Sequence, residues 1–571
     1  MTGLYKWKQE VEQLSSLKGN YTPGVVQQKI KLLERLVFCP FINTTLFKTY
    51  HESLLFLCSQ PDNSRVYQLA QEGLEKIKTI IEKKIKRYPS SKHASLNGTG
   101  IYGTELVCSF SYEIARWLSD NFGNDVSLHS NNSNTEQVSK ILGLFLPGME
   151  YQEITQTNCN LQQRVQKLTG KKNKTASLRW LLDTMKADTK KETLRNVLYE
   201  QLQVYIRWKL KQPFYSRTFL RSLPQKTVYQ EEAAPVIKNY KAFVRKKIKP
   251  PVILTPADQF LLLNVARTSL ALLYSETDPV TFGDIKTVKY FNLENGISIA
   301  LYTMEPSKRF TIESYIGYMA FKNSVPVAYG GGWLFGERCK IGINIYPAFR
   351  AGNSALLFAS ILGLYHQYLG AKRFVVKPYQ FGKNNPDGLR SGAFWFYYKL
   401  GFRPTDEILQ NIATVEQYKK QTIPKYKTPL KILKQFTGSP VELVLDKKAF
   451  PSFDASIVSK FITHYAINNF AGNRQDARQY CAKKLINIVR KTLPKKLTPY
   501  QLEILNSQAA WFAVLFASNE KAAGWTATEI QQLTRLLLSK YEADEINYVN
   551  YLRQHKKLWQ VLNASFGKSI K

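Results

Sequence analysis

Apolar residues in the first part of the chain recur at three- and four-residue spacing, for example Leu32 and Leu36. This spacing is typical of amphipathic helices, because side chains three or four positions apart lie on one helix face. Pro40, Pro61 and Pro89 interrupt the pattern and divide it into separate segments. The pattern therefore predicts several short helices in succession.

Further helical patterns follow between residues 160 and 249, where many cations alternate with aromatic residues. The aromatic residues are Trp180, Tyr205, Trp208, Phe214 and Tyr215. Cations can pair with phosphates and aromatic rings can stack on bases, so this composition fits a nucleic acid as well as it fits a solvated surface. We expect residues 1–249 to form a helical, lysine-rich region, divided near 90–160 if it contains two subdomains.

After Pro250 the period of the pattern changes from that of helices to that of strands. Runs rich in β-branched and aromatic residues, separated by short turn signals, predict an antiparallel meander. The predicted strands are 297–304, 310–321, 325–333 and 339–346, followed by helix 354–369, strand 373–376, helix 392–400 and strand 441–445. A helical pattern then continues from about residue 456 to the last residue.

These elements predict an α+β fold. A mixed, mostly antiparallel sheet with flanking helices occupies residues 250–446, between all-helical regions at 1–249 and 447–571. Hydrophobic residues make up 44% of the 571 positions and charged residues 22%, which excludes a wholly disordered chain.

The charge balance adds one constraint. The chain has 80 Lys and Arg residues against 43 Asp and Glu residues, a formal net charge of +37. Such an excess points to a polyanion or an acidic surface as a partner, although a basic surface also serves solubility alone.

Cysteine usage and apolar runs indicate a reduced compartment. The six cysteines include no C-x-x-C pair and none has a histidine at metal-ligand spacing, so we expect free thiols and no metal. The N-terminus lacks the apolar core of a secretory signal, and the longest apolar runs are too short to cross a bilayer. We expect a cytoplasmic protein with no membrane span.

Two segments carry chemistry. Gly342–Leu357 reads as a strand, a turn of small residues and a helix start, and Ala393–Pro404 contains an aromatic helix that ends in Leu-Gly-Phe. In this order, the segments and the surrounding strands resemble the GNAT fold of acyl-CoA-dependent N-acyltransferases. The resemblance covers about a third of the chain and implies acyl-CoA, most simply acetyl-CoA, as co-substrate.

The first segment is similar to the family's pyrophosphate turn. Free backbone N–H groups at a helix N-terminus bind phosphate through their hydrogen atoms and the helix dipole. The residues implied in CoA binding are Ile343, Ile345, Arg350, Gly352, Asn353, Ser354, Ala355 and Leu356. Counted from Arg350, Ala355 fits the family's spacing, but Asn353 stands where a glycine is usual. An ordinary strand-to-helix turn is the alternative.

The second segment places Tyr397 where the family has a tyrosine that protonates the departing CoA thiolate. A phenol within hydrogen-bond reach suits that task. The alternative is that Tyr397 is simply a core residue of an aromatic helix.

Two further groups complete the predicted site. Glu313 and Glu337 lie on or beside the strands that border the family's active site, and either is a candidate for the base that takes the proton of the attacking amine. The loop before the Tyr397 helix is long and polar, which favours contact with the acceptor. Its candidate acceptor-binding residues are Tyr379, Gln380, Asn384, Asn385 and Asp387.

The resulting hypothesis is an acyltransferase in which a small-molecule or peptide amine attacks the acyl-CoA thioester directly in a ternary complex. Three alternatives stay open. One is a nucleic-acid-associated protein with basic helical arms, and another is a transferase that uses aminoacyl-tRNA, as the peptidoglycan-bridge enzymes with GNAT-like domains do. The third is a scaffold with a non-catalytic GNAT-like domain.

Overall fold

The chain is described by a computed structural model. It describes residues 2–37, 44–87, 94–129, 135–150, 152, 155, 159–170, 173–188, 192–230, 237–350, 353–517 and 524–566. These residues form two compact units. Unit 1 comprises Met1–Ala233, Leu261–Thr277 and Lys322–Pro326, and unit 2 comprises Ala234–Phe260, Asp278–Phe321 and Val327–Lys571. The C-terminal region is grouped with the larger sheet in unit 2.

Unit 1 combines helices with one small sheet. Its helices are α1 (Thr2–Leu17), α2 (Pro23–Leu36), α3 (Thr44–Ser59), α4 (Ser64–Arg87), α5 (Tyr112–Phe122), α6 (Thr135–Leu142), α7 (Leu161–Thr169), α8 (Lys174–Asp188) and α9 (Glu192–Gln201). Its strands are β1 (Glu105–Ser109), β2 (Val126–His129) and β3 (Tyr205–Lys209), with β3 in the centre and antiparallel to both others.

The prediction of an all-helical N-terminal region is therefore wrong. Strand β3 alternates exposed and buried side chains, with Ile206 and Trp208 in the core of the unit and Lys209 in solvent. Of the five aromatic residues that suggested base stacking, Trp208 lies in this core, and Trp180 and Tyr215 are partly buried and pack against the core. Phe214 is half-buried and Tyr205 is exposed. The packing therefore removes part of the stacking surface that the sequence suggested there.

Unit 2 is built on an eight-stranded sheet, of which only residues 322 and 325–326, at the ends of two strands, are grouped with unit 1. Its strands are β4 (Lys289–Asn292), β5 (Ile297–Tyr302), β6 (Ser314–Lys322), β7 (Val325–Phe335), β8 (Arg338–Ile345), β9 (Arg373–Val376), β10 (Arg403–Pro404) and β11 (Val441–Val444). The order across the sheet is β10-β11-β9-β8-β7-β6-β5-β4. Strands β8 and β9 are parallel, and β11 is antiparallel to both of its neighbours. The mixed, mostly antiparallel sheet predicted from the sequence is confirmed.

Helices connect and cover this sheet. They are α10 (Tyr240–Val244), α11 (Pro256–Ala271, which continues into unit 1), α12 (Asp278–Thr281), α13 (Ser354–Leu369), α14 (Pro386–Arg390), α15 (Ala393–Lys399), α16 (Glu407–Thr422) and α17 (Leu430–Phe436). The remaining helices are α18 (Ala455–Phe470), α19 (Arg474–Val489), α20 (Pro499–Gln508), α21 (Val514–Ala517), α22 (Ala527–Ser539), α23 (Glu545–Gln554) and α24 (Lys556–Phe566). Over the described residues, no helix combines the length and apolar character that a bilayer crossing requires.

Local sequence explains the element that joins β8 to β9. Helix α13 begins where the Asn353 side chain accepts the N–H of Leu356 and ends at Gly370, whose φ of +73° suits a glycine at a helix C-terminus. Apolar residues on all sides of the helix match its burial against the sheet. The crossover from β8 through α13 to β9 is the connection that two parallel neighbouring strands need.

The C-terminal helices hold the segment that leads into β6. Buried Arg309 donates to the backbone carbonyls of Lys540, Glu542 and Ala543, at 2.6 to 3.0 Å. Lys540, also fully buried, donates to the carbonyl of Glu313 at 3.0 Å and to Glu545 at 2.8 Å. The start of β6 is therefore fixed by charged groups from another part of the chain.

His555 at the start of α24 makes the C-terminal helices sensitive to acid. Its Nδ1 accepts the N–H of Leu558 at 3.3 Å, and its buried ring lies against Trp525. Burial lowers the pKa of His555 to about 4, below the ordinary value of about 6.5. Between these values the unfolded chain binds the proton more tightly, so stability falls as the pH drops through this range.

We expect His555→Asn to flatten that pH dependence. Asparagine keeps the acceptor for the Leu558 N–H but does not titrate, whereas wild type loses up to about 3 kcal/mol of stability between pH 7 and pH 4 through this histidine. Hydrogen exchange of peptides from α23 and α24 at both pH values measures the difference. Equal pH dependence in both proteins would contradict the assignment.

Candidate functional site

Strands β8 and β9 are paired at one end and open at the other. Their parallel pairing spans only Arg338–Lys340 against Arg373–Val375, whereas β8 pairs with β7 along its whole length. At the paired end Glu442 of β11 binds the guanidinium groups of both Arg338 and Arg373. Beyond Lys340 the edge of β8 that faces β9 is left without a strand partner in the described register. We call this gap the strand opening.

Gly342 lies in the strand opening, two residues beyond the last pair. Its carbonyl accepts the hydroxyl of Tyr318 at 2.7 Å. A Cβ atom on Gly342 would lie 2.7 Å from Nε2 of Gln380, so only glycine lets that side chain approach the backbone so closely. Gln380, one of the predicted acceptor-binding residues, is therefore part of the strand opening.

Tyr397 of α15 is the aromatic residue predicted to act on the thiolate. Its hydroxyl donates to Oε1 of Gln380 at 3.3 Å, and its ring contacts Phe358 of α13 and Phe381. Burial raises the pKa of Tyr397 well above its ordinary value, so the phenol stays protonated at physiological pH. The structure thus brings a neutral O–H donor to the strand opening.

The start of α13 is the predicted pyrophosphate turn. Asn353 already caps the Leu356 N–H at 3.1 Å, so that amide is engaged, and the Leu356 side chain is buried. Arg350 is exposed, and its Nε lies 3.4 Å from the carbonyl of Ile345 at the end of β8. Ser354 and Ala355 are half-buried in the first turn of the helix. Gly352 lies outside the described residues.

The other predicted CoA-binding residues lie on β8 itself. The side chain of Ile343 is buried and that of Ile345 is half-buried. Both residues fall in the part of β8 that lacks pairing with β9, so their backbone groups border the strand opening.

The loop after β9 separates the predicted acceptor-binding residues. Gln380 reaches the strand opening, whereas Tyr379, Asn384 and Asp387 are exposed. Asn385 holds the loop together, because its Nδ2 donates to the carbonyl of Tyr379 and its Oδ1 accepts the N–H of Gly388. Of the five, the structure places only Gln380 beside Tyr397.

A cavity of about 600 Å³ lies in unit 2, on the face of β8 that carries Lys340. Lys340 and Gly342 are two residues apart, so they lie on the same face of the strand. Their Cα atoms are about 6.6 Å apart at ~3.3 Å per residue, which places the cavity next to the strand opening. The cavity is lined by Phe310, Thr311, Ile312, Glu313, Trp333, Lys340, Lys377, Asp454, Ala455, Ser456, Ser459, Ile462, Ser507, Ala510 and Trp511.

Charged groups meet in this cavity. The ammonium of Lys340 lies 2.7 Å from Glu313 and 3.3 Å from Asp454. Burial tends to raise the pKa of Asp454, but the Ser456 N–H and the Lys340 ammonium outweigh it and leave the pKa below the ordinary value. Glu313, one of the two predicted bases, therefore lines the cavity as part of a cluster of one cation and two carboxylates.

Aromatic rings form another part of the cavity wall. Trp333 stacks on Tyr315 with 3.9 Å between ring centroids, and the Lys377 ammonium lies 6.0 Å from the Trp333 ring. Such stacked rings provide a rigid apolar surface beside the charged cluster.

Glu337 lies away from this site. It occupies the turn before β8, where its carboxylate binds Lys372 at 2.6 Å and accepts the N–H of Phe450. It is five residues before Gly342, roughly 16 Å along the strand. The structure thus brings Glu313 to the cavity and assigns Glu337 to the closed end of the sheet.

The strand opening, the Tyr397 hydroxyl and the adjoining cavity form one candidate site. The chain matches no family model, no curated protein and no solved structure. In the part of the chain that the structure describes, no group of His, Cys, Asp and Glu side chains is arranged to hold a metal ion. The function proposed below therefore depends on strand order and side-chain geometry.

Several site residues escape sequence reasoning. Trp333, Lys340 and Lys377 come from three different segments, and Asp454 follows more than 70 residues after Lys377. No local pattern connects them. The nearest local signal is the run Gly330–Gly332 inside a strand, because consecutive glycines in a strand often mark a close approach of other groups.

Proposed function

We infer that this chain transfers an acyl group from an acyl-CoA thioester to an amine. The observation that carries the proposal is the strand opening. Pairing between these parallel strands stops after three residue pairs, and a buried tyrosine hydroxyl lies beyond the last pair, so an unpaired edge of β8 lies beside a proton donor. The order along the chain of antiparallel strands, a turn, a helix, a strand and an aromatic helix, on which the resemblance to the GNAT fold rests, also supports the proposal.

The strand opening suits the pantetheine arm of CoA. The backbone of Ile343 and the N–H of Ile345 lie in the part of β8 without a strand partner, where they could hydrogen-bond its amides as a neighbouring strand would. At the end of β8 the start of α13 offers a helix N-terminus and the exposed Arg350 to the pyrophosphate. Asn353, which caps Leu356, would then share that first turn with the ligand.

In the proposed reaction the amine approaches from the cavity, and the sulfur leaves beside Tyr397. The amine nitrogen attacks the thioester carbonyl carbon from the cavity, the C–S bond breaks, and the sulfur leaves as a thiolate. The Tyr397 O–H donates its proton to that sulfur, and the hydroxyl regains a proton from solvent. The proton that the amine nitrogen loses goes to a carboxylate of the cavity.

Glu313 is the carboxylate we propose for that proton. It lines the cavity, and its backbone is fixed by Lys540, which donates to its carbonyl. The Lys340 ammonium binds this carboxylate at 2.7 Å and so fixes its position in the cavity. The arrangement also explains why Glu313 and not Glu337 serves, since Glu337 is engaged at the closed end of the sheet.

A second candidate is CoA binding without turnover. Its supporting observation is that both Glu313 oxygens contact Lys340, at 2.7 and 2.9 Å, and Gln380 packs on Gly342 inside the opening. A protein of this kind binds acetyl-CoA but releases no thiol with any amine.

The experiment is calorimetric titration of the whole chain with acetyl-CoA and with desulfo-CoA. We expect Gly342→Leu, which fills the strand opening, to weaken binding about tenfold or more. Asn292→Leu adds the same side chain to an exposed position on the far edge of the sheet and serves as control. Arg350→Ala should weaken binding mainly at low salt, because the residue is exposed.

The titration, together with an assay of thiol release on an amine panel, distinguishes three outcomes. Binding that Gly342→Leu weakens, together with thiol release on an amine panel, supports the transferase. The same binding without thiol release supports the second candidate. A folded protein that binds neither CoA compound contradicts both.

A further inference from the structure

Helix α16 carries apolar side chains on its solvent side. Ile408 is 70% exposed, Val415 54% and Tyr418 67%. At 3.6 residues per turn, Ile408 and Val415 lie almost directly above one another, and Tyr418 lies within about 80° of them. The packed side of the helix is the opposite one, with Ala413 and Glu416 buried. A surface helix normally has polar residues where this one has apolar residues.

The segment that follows α16 extends the same character. Ile423 is 48% exposed and Leu430, at the start of α17, is 56% exposed. Residues 407–434 therefore place five large apolar side chains in solvent, and we call this stretch the 407–434 segment. Single exposed apolar residues are normal on a protein surface, but a run of this kind marks an interaction site.

The 407–434 segment carries an excess of positive charge. It contains six lysines and two acidic residues, Glu407 and Glu416. Glu416 is buried and binds Lys419 and the hydroxyl of Tyr426, both at 2.8 Å. Five of the lysines are exposed, and one of them, Lys420, lies over the Trp395 ring. No described carboxylate lies within ion-pair distance of the other four. These are Lys425, Lys427, Lys431 and Lys434.

We propose that the 407–434 segment binds the surface of an anionic lipid bilayer. Exposed aliphatic side chains enter the boundary between headgroups and acyl chains, and the neighbouring lysines bind anionic headgroups. Nucleic acid fits less well, because four of the five apolar residues are aliphatic and offer no ring for base stacking. This inference is independent of the proposed acyl transfer.

The test is sedimentation of the whole chain with vesicles. We expect binding to vesicles of phosphatidylcholine mixed with phosphatidylglycerol, and little binding to phosphatidylcholine alone. The triple variant Ile408→Ser, Val415→Ser, Tyr418→Ser should lower the binding about tenfold or more, because it removes the inserted side chains. All three residues are exposed, so the melting temperature should stay unchanged.

Two matched controls come from other exposed positions of unit 2. The triple variant Ile253→Ser, Ile467→Ser, Tyr500→Ser also removes three exposed apolar side chains, and it should bind vesicles as wild type does. Replacing Lys425, Lys427, Lys431 and Lys434 by Gln should abolish most of the binding. Replacing the exposed cations Lys483, Lys484, Arg490 and Lys491 by Gln should preserve most of it.

Three results would overturn the proposal. One is no sedimentation with the mixed vesicles, and a second is equal loss in both four-cation variants, which indicates unspecific charge attraction. The third is unchanged vesicle binding in the Ile408, Val415 and Tyr418 variant together with loss of binding to single-stranded RNA, which assigns the segment to nucleic acid.

Discussion

Tyr397→Phe is expected to lower the rate of acyl transfer about 100-fold or more, while the affinity for acetyl-CoA changes little. Phenylalanine keeps the ring contacts with Phe358 and Phe381 but removes the O–H that is proposed to protonate the departing sulfur. Because the donor acts on the leaving group, the loss should appear in kcat and not in KM for acetyl-CoA. Release of the CoA thiol in the presence of an amine panel measures both.

Tyr398→Phe is the matched control. Tyr398 is the next residue of the same helix and is buried as well, but its ring stacks on the Arg403 guanidinium and not at the strand opening. We expect its turnover to stay within a few-fold of wild type. Equal turnover in wild type and Tyr397→Phe would refute the proton-donor role.

The pH dependence gives a further test of the same tyrosine. Burial raises the pKa of Tyr397 above the ordinary value of about 10, so the donor stays protonated across the neutral and mildly alkaline range. The alkaline limb of kcat should therefore show no decline attributable to this phenol up to about pH 10. A decline near pH 8 that Tyr397→Phe abolishes would contradict the assigned environment.

Sequence reasoning predicts the elements around the site well where local chemistry defines their ends. Helix 354–369 and strand 373–376 have the predicted bounds, because Asn353 caps one end of the helix, Gly370 ends it, and the strand is short and apolar. Strand β10 is missed, since two residues carry no period. The N-terminal sheet is missed because β3 combines cations and aromatic rings, which also fits a basic helix.

The candidate site is predictable only in part for a different reason. Tyr397 and Gln380 are marked by local patterns, a helix motif and a long loop. Lys340, Trp333 and Asp454 become neighbours only when strands and C-terminal helices pack together. The sequence also gives no means to choose between Glu313 and Glu337, because the choice depends on which end of β8 is open.

Lys540→Met is expected to lower the free energy of unfolding of unit 2 by about 3 kcal/mol or more. The variant removes the closer of the two cations that pair with the buried carboxylate of Glu545, at 2.8 Å, and leaves only Arg309 at 3.5 Å. Removing one partner from a buried charged cluster costs more than the pair contributes. The variant also removes the donor to the Glu313 carbonyl and the Ser314 hydroxyl, so the segment that lines the cavity loses its support. Hydrogen exchange of peptides from β6 and α23 measures the loss.

The double variant Lys540→Met, Glu545→Gln tests whether the charge is the cause. A neutral glutamine has no such desolvation cost, so we expect the double variant to recover part of the stability despite having two changes. Lys557→Met changes a half-buried lysine of α24 and should stay within about 0.5 kcal/mol of wild type. If the double variant is less stable than Lys540→Met alone, the loss does not come from the charge of the Glu545 carboxylate. It then comes from lost packing around Tyr548, whose ring lies 4.0 Å from the Lys540 ammonium, or from the lost pairing of Arg309 with Glu545.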